Sequence, residues 1–229
     1  MASTNPKISP QTIVITIDGP AGAGKSTVAR QLARHLGFAY LDTGAMYRAL
    51  TLKAIRRKVN LEDEKSLAGL ARETQLDLTV GLDKAPEVLL DGVDVSTEIR
   101  TLEVTNNAFY IARAPSVREI LVKRQQEIGA KANCVLEGRD TGTVVFPHAA
   151  YKFYLDADFK ERARRRIDEL KLKGKAVDES ALSRDLNDRD ERDFSRRVGP
   201  LKKADDAIVI DSTHLSIEQV VEKILGYLE

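Results

Sequence analysis

Thr12-Ile13-Val14-Ile15-Thr16-Ile17-Asp18-Gly19-Pro20-Ala21-Gly22-Ala23-Gly24-Lys25-Ser26-Thr27 decides how this chain is built. A β-branched apolar run leads into a glycine-rich turn. Lys-Ser follows, and then Val28, Leu32 and Leu36, with Ala29 and Ala33, repeat at helical spacing. Strand, G-x-x-x-x-G-K-S and helix in that order give the phosphate-binding loop its physical meaning. Glycines let the backbone wrap a phosphate chain with its N–H groups turned inward. The helix adds the positive end of its dipole. The reading assigns Gly19, Pro20, Ala21, Gly22, Ala23, Gly24, Lys25, Ser26 and Thr27 to a nucleoside triphosphate. Lys25 supplies charge for the β- and γ-phosphates, and the Ser26 hydroxyl serves as a Mg²⁺ ligand. The loop alone does not say what is done with the triphosphate.

Working outward, Gly37 reads as a helix stop, Phe38 to Leu41 as a strand, and Asp42-Thr43-Gly44 as the turn into a helix carrying Tyr47, Arg48, Leu50 and Ala54. Strand and helix alternate, so the core is α/β with a parallel sheet and crossover connections. The middle breaks this rhythm. Leu76 to Val80 alternates with period two, 81–86 is rich in turn residues, and Asp91-Gly92 joins two apolar runs as a type I′ hairpin does. Residues 62–113 therefore read as an inserted subdomain with a small antiparallel sheet, within a core made of 12–61 and 114–229. Helices are expected around 100–112 and 116–131, and strands at 133–136, 151–155 and 207–210. Asp158 to Glu161 and Ser216 to Gln219 both carry the capping-box pattern at a helix start.

Composition excludes several classes. A net charge of +1 gives no global attraction to nucleic acid or an anionic membrane, so neither partner is expected. Cys134 is the single cysteine, which rules out an internal disulfide, and its apolar surroundings suit a buried residue. His35, His148 and His214 have no metal-ligand spacing. No apolar run reaches the length of a membrane span, and Met1 to Gln11 reads as a loose tail. A cytoplasmic monomer is the expectation.

Charge is concentrated instead in two helical stretches, roughly 158–173 and 179–197, joined near Gly174. Arg162, Arg165 and Arg166 lie on the first. On the second, Arg189, Arg192 and Arg196 fall at i, i+3 and i+7, with Asp193 at the same edge. Such a pattern alone usually means a solvated face with weak ion pairs. Beside a triphosphate loop it gains a purpose, because guanidinium forks match phosphate oxygens. The pair reads as a helical lid over 162–197, with Arg162 and Arg166 toward the donor phosphates.

The chain has no N-K-x-D or D-x-x-G motif, which argues against a guanine-nucleotide switch. Arg48 and Arg139 each follow a strand, at the carboxyl ends where an open parallel sheet forms its ligand crevice. Cations converging there suit an acceptor that already bears a phosphate. Such a group is mostly a dianion near neutral pH, since its second pKa is about 6, and needs no general base.

At this level of detail the chain resembles the bacterial cytidylate kinases. The resemblance rests on Ile17 to Thr27, on Leu41-Asp42-Thr43-Gly44-Ala45-Met46-Tyr47-Arg48, on Glu137-Gly138-Arg139-Asp140 through Pro147, and on Arg189-Asp190-Glu191-Arg192-Asp193 with Arg196. It implies phosphorylation of CMP and dCMP by ATP with Mg²⁺, in a parallel-sheet P-loop core with helices on both faces. It also implies roles. Thr43, Tyr47 and Arg48 would lie along the acceptor's sugar and phosphate, Arg139 would hold that phosphate, and Arg118 and Asp140 would read the cytosine edge. Arg189, Asp193 and Arg196 would contact pentose and phosphates, so that Lys25, Arg139, Arg189 and Arg196 form the catalytic set. Two positions depart from the family pattern. Glu137 stands where Asp is commoner, and Phe109 lies near the place of a base-contacting serine. Asp18, Asp42 and Glu137 are the candidate carboxylates behind the metal's waters.

Overall fold

A computed structural model describes residues 12–78, 87–172, 174 and 177–228. The expected tail over 1–11, the end of the strand at 79–80 and the turn over 81–86 lie outside the described residues. In chain order the first half contains β1 (Val14–Asp18), α1 (Lys25–Leu36), β2 (Ala39–Asp42), α2 (Thr43–Arg56), α3 (Glu64–Glu73), β3 (Leu76–Leu78), β4 (Val88–Leu90) and β5 (Val93–Asp94). The second half contains α4 (Leu102–Arg113), α5 (Pro115–Gly129), β6 (Cys134–Gly138), β7 (Tyr151–Asp156), α6 (Phe159–Leu172), α7 (Glu179–Ser195), β8 (Ile208–Asp211) and α8 (Ile217–Leu225).

Five strands form one parallel sheet in the order β2-β6-β1-β7-β8. β1, the strand of the phosphate loop, is central and buried along its whole length, as its unbroken apolar and β-branched run requires. Ile15, Ile17, Val135, Phe153 and Leu155 face α1 and α8, while Val14, Leu41 and Leu136 face the opposite side with Val122 and Ile128 of α5. Helices therefore cover both faces. Register aligns the strand ends. Asp18 sits opposite Gly138 and Tyr154, and Glu137 opposite Ile17 and Asp42. The residues after β1, β2 and β6 thus open onto one crevice.

The second sheet, β3-β4-β5, is antiparallel. Its hairpin turns at Asp91 (φ 50°) and Gly92 (φ 82°), two successive positive φ values that define a type I′ turn. Leu90 of this sheet shares a core with Leu50 of α2, Leu67 of α3, Ile111 of α4 and Leu121 of α5.

Local signals hold unevenly. Ser216 and Gln219 form the reciprocal capping box at α8. The box expected at Asp158 does not form: Glu161 pairs with Arg164 and Arg165, and the Asp158 N–H donates to Thr213 Oγ1 at 2.9 Å. Nearby arginines outcompete the helix end for the glutamate. α7 stops at Ser195, and Arg196 is extended (φ −57°, ψ 132°), so the expected common face of Arg189, Arg192 and Arg196 is broken at its end.

Candidate active site

The loop after β1 is pressed between β7 and α6. A Cβ on Gly19 would overlap the Leu155 carbonyl, and one on Gly22 would lie 3.0 Å from the Arg162 oxygen. Gly22 and Gly24 hold φ values of 80° and 92°, a left-handed backbone that glycine adopts without strain. Gly24 begins α1 with no side-chain cap, leaving the first helical N–H groups for an anion. Lys25 is buried, and its Nζ donates to the Pro20 carbonyl at 2.6 Å. Burial, then the nearby Arg139 and Arg189, lower its pKa to about 7 against the pull of Glu137. Arg189 is itself lowered to about 10, first by burial and then by Arg139. Three cations thus crowd one point at the mouth of the loop.

Beside them lies a second cluster. Arg118 of α5, only 2% exposed, pairs with Asp140 Oδ2 and donates through Nη1 to Tyr47 Oη at 3.2 Å. Burial raises the Asp140 pKa against the opposing effect of Arg118 and Arg196. Arg139 Nε donates to Asp193 Oδ2 at 2.7 Å, and Arg196 lies 3.2 Å from the other Asp193 oxygen. Burial works against the Asp193 charge, but Arg139, Arg196 and Arg189 outweigh it and hold the carboxyl below its usual range. Tyr47, Arg118, Arg139, Asp140, Asp193 and Arg196 are therefore gathered from α2, α5, the end of β6 and the end of α7. The Phe109 ring lies between the Arg113 and Arg192 guanidiniums, at 5.1 and 5.6 Å, and links α4 to α7.

Other expected residues have partners of their own, and Arg48 still adds to the positive field at Arg189. The Thr43 hydroxyl donates to the Glu137 carbonyl at 2.7 Å, tying α2 to β6. Arg48 pairs with Asp42 at 2.8 Å. Arg166 pairs with Glu169 at 2.6 Å while adding to the positive field at Arg189. Arg162, expected at the donor phosphates, is buried beneath the loop and bonds Ala157 O, Ala21 O and Asp190. Its sequence spacing cannot report these partners, two of which come from distant segments.

Of the three candidate metal-supporting carboxylates, two are committed. Asp18 accepts from the N–H and hydroxyl of Thr141 and from the Gly142 N–H, at 2.8–2.9 Å. These bonds fix the single π-helical turn Thr141–Val145 after Asp140. Burial nonetheless raises the Asp18 pKa to about 6. Asp42 caps α2 through the Ala45 N–H and pairs with Arg48. The Glu137 carboxylate accepts from Tyr40 Oη at 2.9 Å. It shares the α1-facing side of the sheet with Ile17 and Val135. Sequence reasoning missed Asp190 and Gly199. Gly199, at φ 58°, lies flush against the Arg118–Asp140 pair with no room for a Cβ. Cys134 is no nucleophile: burial pushes its thiol up to about 12.

A P-loop on a five-stranded parallel sheet, with cations converging at its mouth and a buried cluster of arginine–carboxylate pairs beside them, fits a small-molecule kinase. The family model described as cytidylate kinase matches residues 15–229. Cytidylate kinase of Desulforamulus reducens is 50% identical over 94% of this chain and 96% of its own length, and that of Vibrio cholerae is 47% identical over 97% and 98%. A gluconokinase from Sinorhizobium meliloti superposes with a TM-score of 0.50 at 13% identity, over 96% of this chain and 93% of its own, a likeness of fold alone. The chain belongs to the cytidylate kinase family.

Proposed function

We propose that the protein transfers the γ-phosphoryl group of ATP to CMP and dCMP, by in-line displacement without a general base. The buried Arg118–Asp140 pair beside Tyr47 carries this reading. Cytosine presents an N4–H₂ donor next to N3 and O2 acceptors, and a carboxylate with a guanidinium is complementary to that edge. Arg139 and Arg196, both steadied by Asp193, hold the acceptor phosphate. As a dianion, that phosphate needs only alignment and charge neutralisation. Lys25 and Arg189 neutralise the transferring group from the donor side.

Gly19 through Thr27 bind the triphosphate. Among the described residues no three His, Cys, Asp or Glu side chains gather into a metal-holding group. Ser26 would hold a magnesium ion here, with Glu137 as its supporting carboxylate, and the ion would supply charge neutralisation to the triphosphate. Residues 62–113 act as the monophosphate-binding subdomain and 162–197 as the lid. The protein works as a cytoplasmic monomer; no described helix is long and apolar enough to cross a membrane. A coupled assay across CMP, dCMP, UMP, AMP and GMP tests the base assignment. CMP and dCMP should lead in kcat/KM by at least tenfold, on the order expected when buried polar groups are left unpaired. A clear lead for UMP or AMP would overturn it.

A further inference from the structure

Ala21, in the first turn of the donor loop, is gripped at three points by α6 and α7. Its N–H donates to Asp190 Oδ1 at 3.1 Å. Its carbonyl accepts from Arg162 Nη1 at 2.9 Å. Its methyl packs against Ala163 of α6 and Leu186 of α7. Arg162 closes the ring by pairing with the other Asp190 oxygen, while its Nε is held by the Ala157 carbonyl at 3.0 Å. Both side chains are buried. Their groups face the loop's backbone and one another, so neither is a catalytic residue.

Asp190 sits on α7 between Arg189 and Asp193, and Asp193 in turn holds Arg139 at 2.7 Å. Bonding Asp190 to Ala21 therefore fixes how Arg189 and the Asp193–Arg139 pair stand relative to Lys25. We propose that Asp190, braced by Arg162, is the positioning residue that keeps α7 in register with the donor loop, so that cations from both meet the transferring group at one point. A carboxylate suits this role. One oxygen takes the loop N–H and the other takes the guanidinium in a charge-assisted bond. An amide at this place keeps the first contact but turns its NH₂ or loses the charge toward Arg162.

This inference rests on the transfer reaction proposed above, and wild-type turnover of CMP serves as its separate control. The test compares Asp190→Asn, Asp190→Ala and Arg162→Ala with the double variant Arg162→Ala/Asp190→Ala. Steady-state kinetics with ATP and CMP are measured beside equilibrium binding of CMP alone. Misplacement of reacting groups predicts that kcat falls about 10- to 100-fold in Asp190→Asn and further in Asp190→Ala. CMP affinity should fall several-fold less than kcat, because Arg118 and Asp140 sit on other elements while Asp193 and Arg196 follow α7, and the double variant should lose little beyond Asp190→Ala, as residues acting through one contact do. Three results would overturn the proposal: kcat within about threefold of wild type in both Asp190 variants, an equal loss of kcat and CMP affinity, or unfolding of the isosteric Asn variant at 25 °C, which assigns the pair to stability alone. A wild-type protein inactive with CMP would defeat the transfer reading instead.

Discussion

Binding of ATP at pH 8 should draw a proton from solution onto Lys25. The magnitude follows from the site. Burial together with Arg139 and Arg189 sets the ammonium pKa at about 7, against an ordinary 10.5. At pH 8 about nine-tenths of such a group is neutral. Triphosphate oxygens offset the repulsion and return the pKa toward its ordinary value, so binding takes up about 0.9 proton at pH 8 and about 0.1 at pH 6. A site pKa of 8 would still give about 0.5 at pH 8. The nucleotide's own phosphates are ionised at pH 8, since their last pKa is about 6. Isothermal titration calorimetry in buffers of different ionisation enthalpy reads the number directly as a slope. Lys25→Arg, which stays charged, should bring the slope at pH 8 to zero. A wild-type slope near zero at pH 8 would refute the crowded-cation account. Linkage adds a sign. The unfolded chain holds this proton more tightly, so Lys25 makes the ligand-free protein more stable as pH rises from about 7 toward 10.

Further tests address the second site and the frame that carries it. Asp140→Asn should weaken CMP binding about 10- to 100-fold, from the loss of a charge-assisted bond of about 1.5–3 kcal/mol, with ATP binding unchanged within about twofold; equal effects on both nucleotides would make Asp140 structural. In Gly138→Ala the new Cβ meets Thr141 Cγ2 at 2.6 Å and Thr43 Oγ1 at 2.7 Å. Overpacking of this kind costs about 1–3 kcal/mol, and differential scanning fluorimetry should record a Tm lower by about 2–10 °C; an unshifted Tm would contradict the contact. Cys134, with its thiol pushed up to about 12, should resist iodoacetamide at pH 8 until denaturant is added, and rapid labelling of the native protein would contradict its burial.

The P-loop, the central strand and the Asp91-Gly92 hairpin were legible because each depends on neighbours in sequence. A glycine pattern dictates a turn, and two residues of positive φ dictate a hairpin. A phosphate-bearing acceptor is legible from Arg48 and Arg139 after their strands, but the candidate base-reading residues only through family resemblance, since Tyr47, Arg118 and Asp140 come from three separate elements. The partners of Arg162 are hidden for the same reason. Helical spacing tells which residues share a face, but not that this face meets Ala21, 141 positions away. The capping pattern at Asp158 failed where two arginines within one turn offered Glu161 a stronger partner than the helix end. Asp18 stands among three candidate metal-supporting carboxylates because nothing local reveals that it organises a turn 123 residues later.

The central claim is that the loop's cations serve transfer to a second phosphate rather than to water. A rapid-quench single turnover with ATP labelled in its γ-phosphate, enzyme in excess and CMP present, tests this most directly. The account predicts that the label appears in CDP, one CDP for each ADP, with none in inorganic phosphate. Label released as inorganic phosphate while CMP stays unmodified would contradict it.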